Sequence, residues 1–107
     1  MAQNLNRKIN ESWCYYNDVA MCQKNGALYS WKAAMKACPA GWHIPSREEW
    51  GDLINAVGNK DNAGTRLKST EFESGWFTAS PTNEAGFNGL PSGRYWENVF
   101  DTYGKVS

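Results

Sequence analysis

The strongest local instruction in this chain of 107 residues is Ser46-Arg47-Glu48-Glu49. The spacing is that of a capping box, in which a serine hydroxyl and a glutamate carboxylate three residues on satisfy each other's free backbone N–H groups. Trp50, Leu53, Ile54 and Val57 then recur at i, i+3, i+4 and i+7, which is one apolar face of a helix. Gly58 stands where a left-handed residue closes a helix. Start, face and stop agree, and they predict a helix over about residues 46–57. A shorter helix is predicted over residues 30–38. Ser30 is its N-cap, Trp31, Ala34, Met35 and Cys38 form its apolar face, and Pro39 ends it.

Outside these two helices the chain reads as irregular. Trp13-Cys14-Tyr15-Tyr16 is an extended stretch, and the turn signals Asn17-Asp18 and Asn25-Gly26 bracket an irregular segment around Cys22. A polar loop, Asn59 to Gly64, leads into a short turn at Thr65-Arg66-Leu67-Lys68. From Thr70 to Gly93 the chain is loop-like, and Arg94 to Tyr103 reads as a weak strand or hairpin. Two short amphipathic helices in an aromatic-rich chain indicate an α+β class. The length suits one domain spanning residues 1–107. Trp31, Trp42 and Trp50, on or between the helical faces, are expected in the core.

Eleven basic and eleven acidic residues give zero net charge. Dispersed charge offers no concentrated basic face for phosphates, so nucleic acid is not an expected partner. No apolar run approaches the ~20 residues of a membrane span. The first ten residues are mostly polar and lack a secretory leader pattern.

Three cysteines make an odd count. A Cys14–Cys22 bridge would close a nine-residue loop, worth roughly 2.5 kcal/mol from chain entropy. Three reduced, partly buried thiols are the alternative. With His43 the cysteines could also supply a Cys₃His zinc set, but zinc sites rely on pairs such as C-x₂₋₄-C, and Cys14 and Cys22 are too widely spaced. No metal or other cofactor is therefore expected. Asp61 and Asn62 offer oxygens for calcium without the twelve-residue loop pattern. His43, the sole histidine, has no nucleophile motif beside it and reads as part of a linker between the helices.

Gly26-Ala27-Leu28-Tyr29-Ser30-Trp31, Ala33-Ala34 and Ala37-Cys38-Pro39-Ala40-Gly41-Trp42-His43-Ile44-Pro45-Ser46, with Glu49-Trp50 and Leu53, resemble the signature of the Fibrobacter succinogenes major paralogous domain family. That signature runs G-L-Y-W, then A-A, C-P-G-W-H-L-P-S and E-W-L. Asn4-Leu5-Asn6, Trp13-Cys14-Tyr15, Leu67-Lys68-Ser69, Gly86-Phe87, Leu90-Pro91 and Gly93-Arg94 follow in the family's order. The resemblance implies a C-type-lectin-like domain, related to the formylglycine-generating enzyme group. It would have two short helices packed on a small antiparallel sheet and a loop-rich second half. It implies a secreted or cell-surface setting in bacteria, and it favours the Cys14–Cys22 disulfide. Family members carry residues before a segment like Met1-Ala2-Gln3 and continue past Tyr103-Gly104-Lys105-Val106 to a cysteine-bearing strand. The resemblance therefore implies a chain shortened at both ends, with Cys38 deprived of its partner and a sheet edge left open for homodimerisation.

The expected function is a non-catalytic binding module, with carbohydrate as the best-motivated ligand. Aromatic faces stack on the apolar faces of sugars while amides and carboxylates supply directional hydrogen bonds. Trp76, Phe77, Tyr95, Trp96 and Asn98 are the candidate ligand-binding residues, in a second half that also offers Asn83, Glu84, Asn88, Glu97 and Asp101. The calcium-lectin motifs Glu-Pro-Asn, Gln-Pro-Asp and Trp-Asn-Asp do not occur. The expected partners are thus a polysaccharide or a surface protein. The alternatives are a structural or protein-interaction domain without a small ligand, and a divergent enzyme of the formylglycine-generating type. The cysteine pair of that type lies in a C-terminal part with no counterpart here, so no catalytic residue is assigned.

Overall fold

The computed structural model describes residues 3–71 and 81–104. They form a small α+β protein whose chain divides into two compact units, Met1–Ile44 with Ser92–Tyr103 and Pro45–Pro91 with Gly104–Ser107.

The first unit opens with strand β1, Ser12–Trp13, paired antiparallel with β2, Leu28–Tyr29, in the register Ser12 to Tyr29 and Trp13 to Leu28. Between them lie a 3₁₀ turn, Tyr15–Asn17, and helix α1, Val19–Asn25. The extended stretch expected through Tyr16 therefore stops at Cys14, with strand pairing ending at Trp13. Tyr16 and Asn17 take left-handed conformations, φ 52° and 56°, and turn the chain into α1. The Asp18 carboxylate caps that helix by accepting from the Ala20 N–H at 3.0 Å. What reads in sequence as a turn signal is a helix start. A disulfide joins Cys14 to Cys22, with Cα atoms 4.9 Å apart.

Helix α2 spans Trp31–Ala37, and its Ser30 hydroxyl accepts from the Ala33 N–H at 3.1 Å. Cys38 is extended at ψ 132°, as a residue before proline must be. Ends and cap match expectation, but the buried face does not. Ala33 and Ala37 point inward, while Trp31 is 74% exposed and Met35 58% exposed. A stripe of alanines lets neighbouring backbone approach closely, so the small side takes the interior. Strands β3, Arg94–Trp96, and β4, Val99–Asp101, form a second antiparallel pair, as the hairpin reading expects.

The second unit contains α3, Arg47–Ala56. Its capping box is complete. The Ser46 N–H donates to Glu49 Oε2 at 2.7 Å and the Glu49 N–H to Ser46 Oγ at 3.1 Å. Gly58, at φ 138°, follows the helix end. Helix α4, Ala63–Leu67, replaces the short turn expected there. Arg66 fastens it by donating from Nη1 to the Val57 carbonyl at 2.6 Å and pairing with Glu84 at 3.4 Å. Buried Ser69 donates its N–H to the Gly89 carbonyl at 2.8 Å, beside an isolated parallel bridge between Lys68 and Gly89.

Two expectations are corrected. The described strands make two separate pairs of two or three residues, both in the first unit. Helix α3 belongs to the other unit. The tryptophans Trp31, Trp42 and Trp50 are exposed rather than core. Strand pairs this short present too little surface to cover a large ring. Trp50 instead meets Phe87 edge to face, centroids 6.4 Å apart, with both rings partly in solvent.

Candidate functional site

Strands β3 and β4 meet in the register Arg94 to Asp101, Tyr95 to Phe100 and Trp96 to Val99. Glu97 and Asn98 form the two-residue turn, both with positive φ, 48° and 64°. This is the pattern of a type I′ turn, whose twist matches that of the flanking strands. Side chains alternate across a strand, which gives the hairpin two chemically different faces.

The inner face is an aromatic stack. Tyr95 lies 4.6 Å from Phe100 and 4.7 Å from Trp13, centroid to centroid. Phe100 lies 5.5 Å from Tyr15 and 5.6 Å from Tyr16. Tyr15, buried, also meets Tyr103 at 5.1 Å. Such offset and edge contacts add about 0.5–1.5 kcal/mol per pair beyond area burial. Burial pushes the Tyr15 phenol above its ordinary pKa, a backbone hydrogen bond with Tyr103 opposing it. Gly93 makes the close approach possible: its φ is +75°, and a Cβ there would strike the Tyr15 ring and lie 2.9 Å from the Asp101 carbonyl oxygen.

The outer face carries Arg94, Trp96, Val99 and Asp101. Trp96 is 64% exposed and Val99 is exposed beside it. Arg94 grips Asp101 with two hydrogen bonds, Nε to Oδ1 at 2.7 Å and Nη2 to Oδ2 at 3.2 Å. The hydrogen bond from Arg94 lowers the Asp101 pKa and raises that of Arg94. A flat ring thus lies next to a fixed cation–anion pair, a surface that offers stacking together with directional donors and acceptors.

Of the residues expected to bind ligand, Trp76 and Phe77 lie outside the described residues. Trp96 is presented to solvent. Tyr95 faces the other way, and its hydroxyl donates to Asn98 Oδ1 at 3.2 Å, so Tyr95 and Asn98 tie strand to turn. The residues missed by the sequence reading are Arg94 and Val99. Their signal was available: around a two-residue turn, Arg94 and Asp101 become direct cross-strand partners.

The other candidates resolve as follows. The disulfide takes the thiols of Cys14 and Cys22 out of any Cys₃His set, and Cys38 is a free, half-buried thiol. His43 is exposed, between α2 and α3. Asn59 and Asn62 direct their side-chain oxygens to the N–H groups of Asp61 and Asn59, at 2.9 and 3.0 Å. Among the described residues no group of three or more His, Cys, Asp or Glu converges as for a metal, and no helix is long and apolar enough to cross a membrane.

Fold and site together define a small disulfide-bonded α+β module displaying an aromatic hairpin. The model of the Fibrobacter succinogenes major domain matches residues 2–106, and the chain belongs to that family. No curated protein and no solved structure matches it.

Proposed function

We propose that this domain is a non-catalytic binding module that recognises carbohydrate through the outer face of the β3–β4 hairpin. The observation that carries the reading is Trp96, a large ring held in solvent on a strand whose opposite face is locked into an aromatic stack. An exposed ring on a rigid support loses little order on binding, which favours weak but defined contact. Arg94 and Asp101 supply hydrogen-bonding groups on the same face for sugar hydroxyls. One aromatic contact contributes about 1.5–3 kcal/mol. With a few polar contacts, affinity per site is then on the order of millimolar, or about 4 kcal/mol.

The C-type-lectin-like reading of the fold rests on the order of the sequence motifs. A secreted or surface setting is supported by the disulfide, which persists in oxidising compartments.

The test is affinity electrophoresis of the purified domain in gels containing soluble β-glucan, xylan, mannan or pectin. Retardation by at least one polymer, abolished by Trp96→Ala and retained in Trp50→Ala, is the expected result. Absence of retardation in every gel, or retardation indifferent to Trp96→Ala, rejects the site. The alternative, a protein-interaction domain, is favoured by the exposure of Trp31, Met35 and Trp42. It predicts self-association or partner capture sensitive to Trp31→Ala instead.

A further inference from the structure

The inner face of the hairpin rests on Trp13, Tyr15 and Tyr16, three rings flanking Cys14 in sequence. This floor is not held by a long strand. Pairing with β2 ends at Trp13, and the next corner passes through left-handed Tyr16 and Asn17, a conformation that costs an L-residue and needs its surroundings to hold it. The disulfide to buried Cys22 fixes that corner onto α1. The other end of α1 meets the far side of the hairpin. Buried Asn25 donates from Nδ2 to the Tyr103 hydroxyl at 3.3 Å, just past β4. Its Oδ1 is buried without a hydrogen-bond partner, so this contact is a thin tie. The Ser92 hydroxyl adds a long hydrogen bond to the Asn25 carbonyl at 3.5 Å, and the disulfide is the covalent restraint on this corner.

We propose that the Cys14–Cys22 bridge is a redox-sensitive clamp on the hairpin: oxidised, it seats Tyr15 beneath Gly93 and orders the outer face; reduced, it releases both. Cys14 is the more exposed of the two cysteines. An external dithiol attacks its sulfur as thiolate, the S–S bond breaks, and Cys22 leaves as a thiolate that takes a proton. The dithiol's second sulfur then displaces Cys14. Two electrons pass to the protein, which gains two thiols, and the dithiol becomes a disulfide. The inference concerns the order of the hairpin and stands whether or not its outer face binds sugar.

Amide hydrogen exchange on the whole chain tests it, comparing the oxidised protein, the protein in excess dithiothreitol, and Cys14→Ser/Cys22→Ser without reductant. The expected result is exchange about tenfold or more faster in β3 and β4 in both reduced-like states. Amides of α3, Arg47–Ala56, serve as the internal reference and stay within about twofold, since local opening spares other cooperative segments. Unchanged protection in β3 and β4 overturns the proposal. So does equal acceleration in α3, which would make the bridge a general staple rather than a clamp on the hairpin.

Discussion

Gly93→Ala is the substitution that most directly probes how the hairpin is seated. Two costs add. A left-handed φ costs an L-residue about 1–2 kcal/mol, and Gly93 sits at φ +75°. The new methyl also strikes the Tyr15 ring and the Asp101 carbonyl, and overpacking of this kind costs about 1–3 kcal/mol. The expected loss is about 2–5 kcal/mol, a large part of the 5–15 kcal/mol that holds a typical domain together. Gly41 is the matched control in the same unit: φ is +83° and a Cβ there meets nothing within 4 Å. Gly41→Ala bears only the backbone cost, about 1–2 kcal/mol. At about 4 °C per kcal/mol for a chain of this size, the variants lose about 8–20 °C and about 4–8 °C respectively. Thermal and urea unfolding followed by near-ultraviolet circular dichroism, which reports the aromatic stack, measures both. If Gly93→Ala is no more destabilising than Gly41→Ala, Tyr15 does not fill the space beneath Gly93, and the account of a seated hairpin fails.

Ser46→Ala removes half of the capping box and should cost about 1 kcal/mol, read as faster amide exchange at Glu48 and Glu49 with β3 and β4 unaffected. Acidification acts on the outer face. Because the Arg94 hydrogen bond holds the Asp101 pKa below its ordinary value, the pair's contribution is complete above about pH 4 and is lost as pH falls through the lowered value. Protection of β3 and β4 amides, taken relative to the intrinsic exchange rate at each pH, should therefore fall only on the acid side of about pH 4. Asp101→Asn should abolish that dependence, and an identical acid profile in the variant would assign it to other carboxylates.

How much was legible in sequence depends on how local each cause is. Helix α3 carries its cap, its periodicity and its stop within thirteen residues, Ser46 to Gly58, so its limits could be read directly. Helix α2 shows the limit of periodicity: the i, i+3, i+4 rule finds a stripe, but Trp31–Met35 and Ala33–Ala37 both satisfy helical spacing. Only tertiary packing decides which turns inward. Helix α1 was hidden because Asn17-Asp18 signals a turn and a helix cap equally well, and because seven residues with a β-branched start need the distant ties of Cys22 and Asn25. Helix α4 likewise depends on Arg66 reaching back to Val57. At the candidate site, Trp96 and its hairpin were legible. The grouping of Tyr95 with Trp96 was a failure to apply the two-residue period of a strand, which sends neighbours to opposite faces.

The first unit is built from two stretches far apart in sequence, Met1–Ile44 and Ser92–Tyr103, and this has a consequence for its biosynthesis. Tyr15 must wait for Phe100 and Tyr103, made more than eighty residues later, whereas both cysteines of the bridge emerge within nine. During synthesis both cysteines are present long before the aromatic partners of Tyr15 leave the ribosome. Trp13, Tyr15 and Tyr16 then stand uncovered on a nascent chain, and long-range closure of this kind is slow and exposed to aggregation. A cell making this protein has to shelter those rings until β3 and β4 arrive.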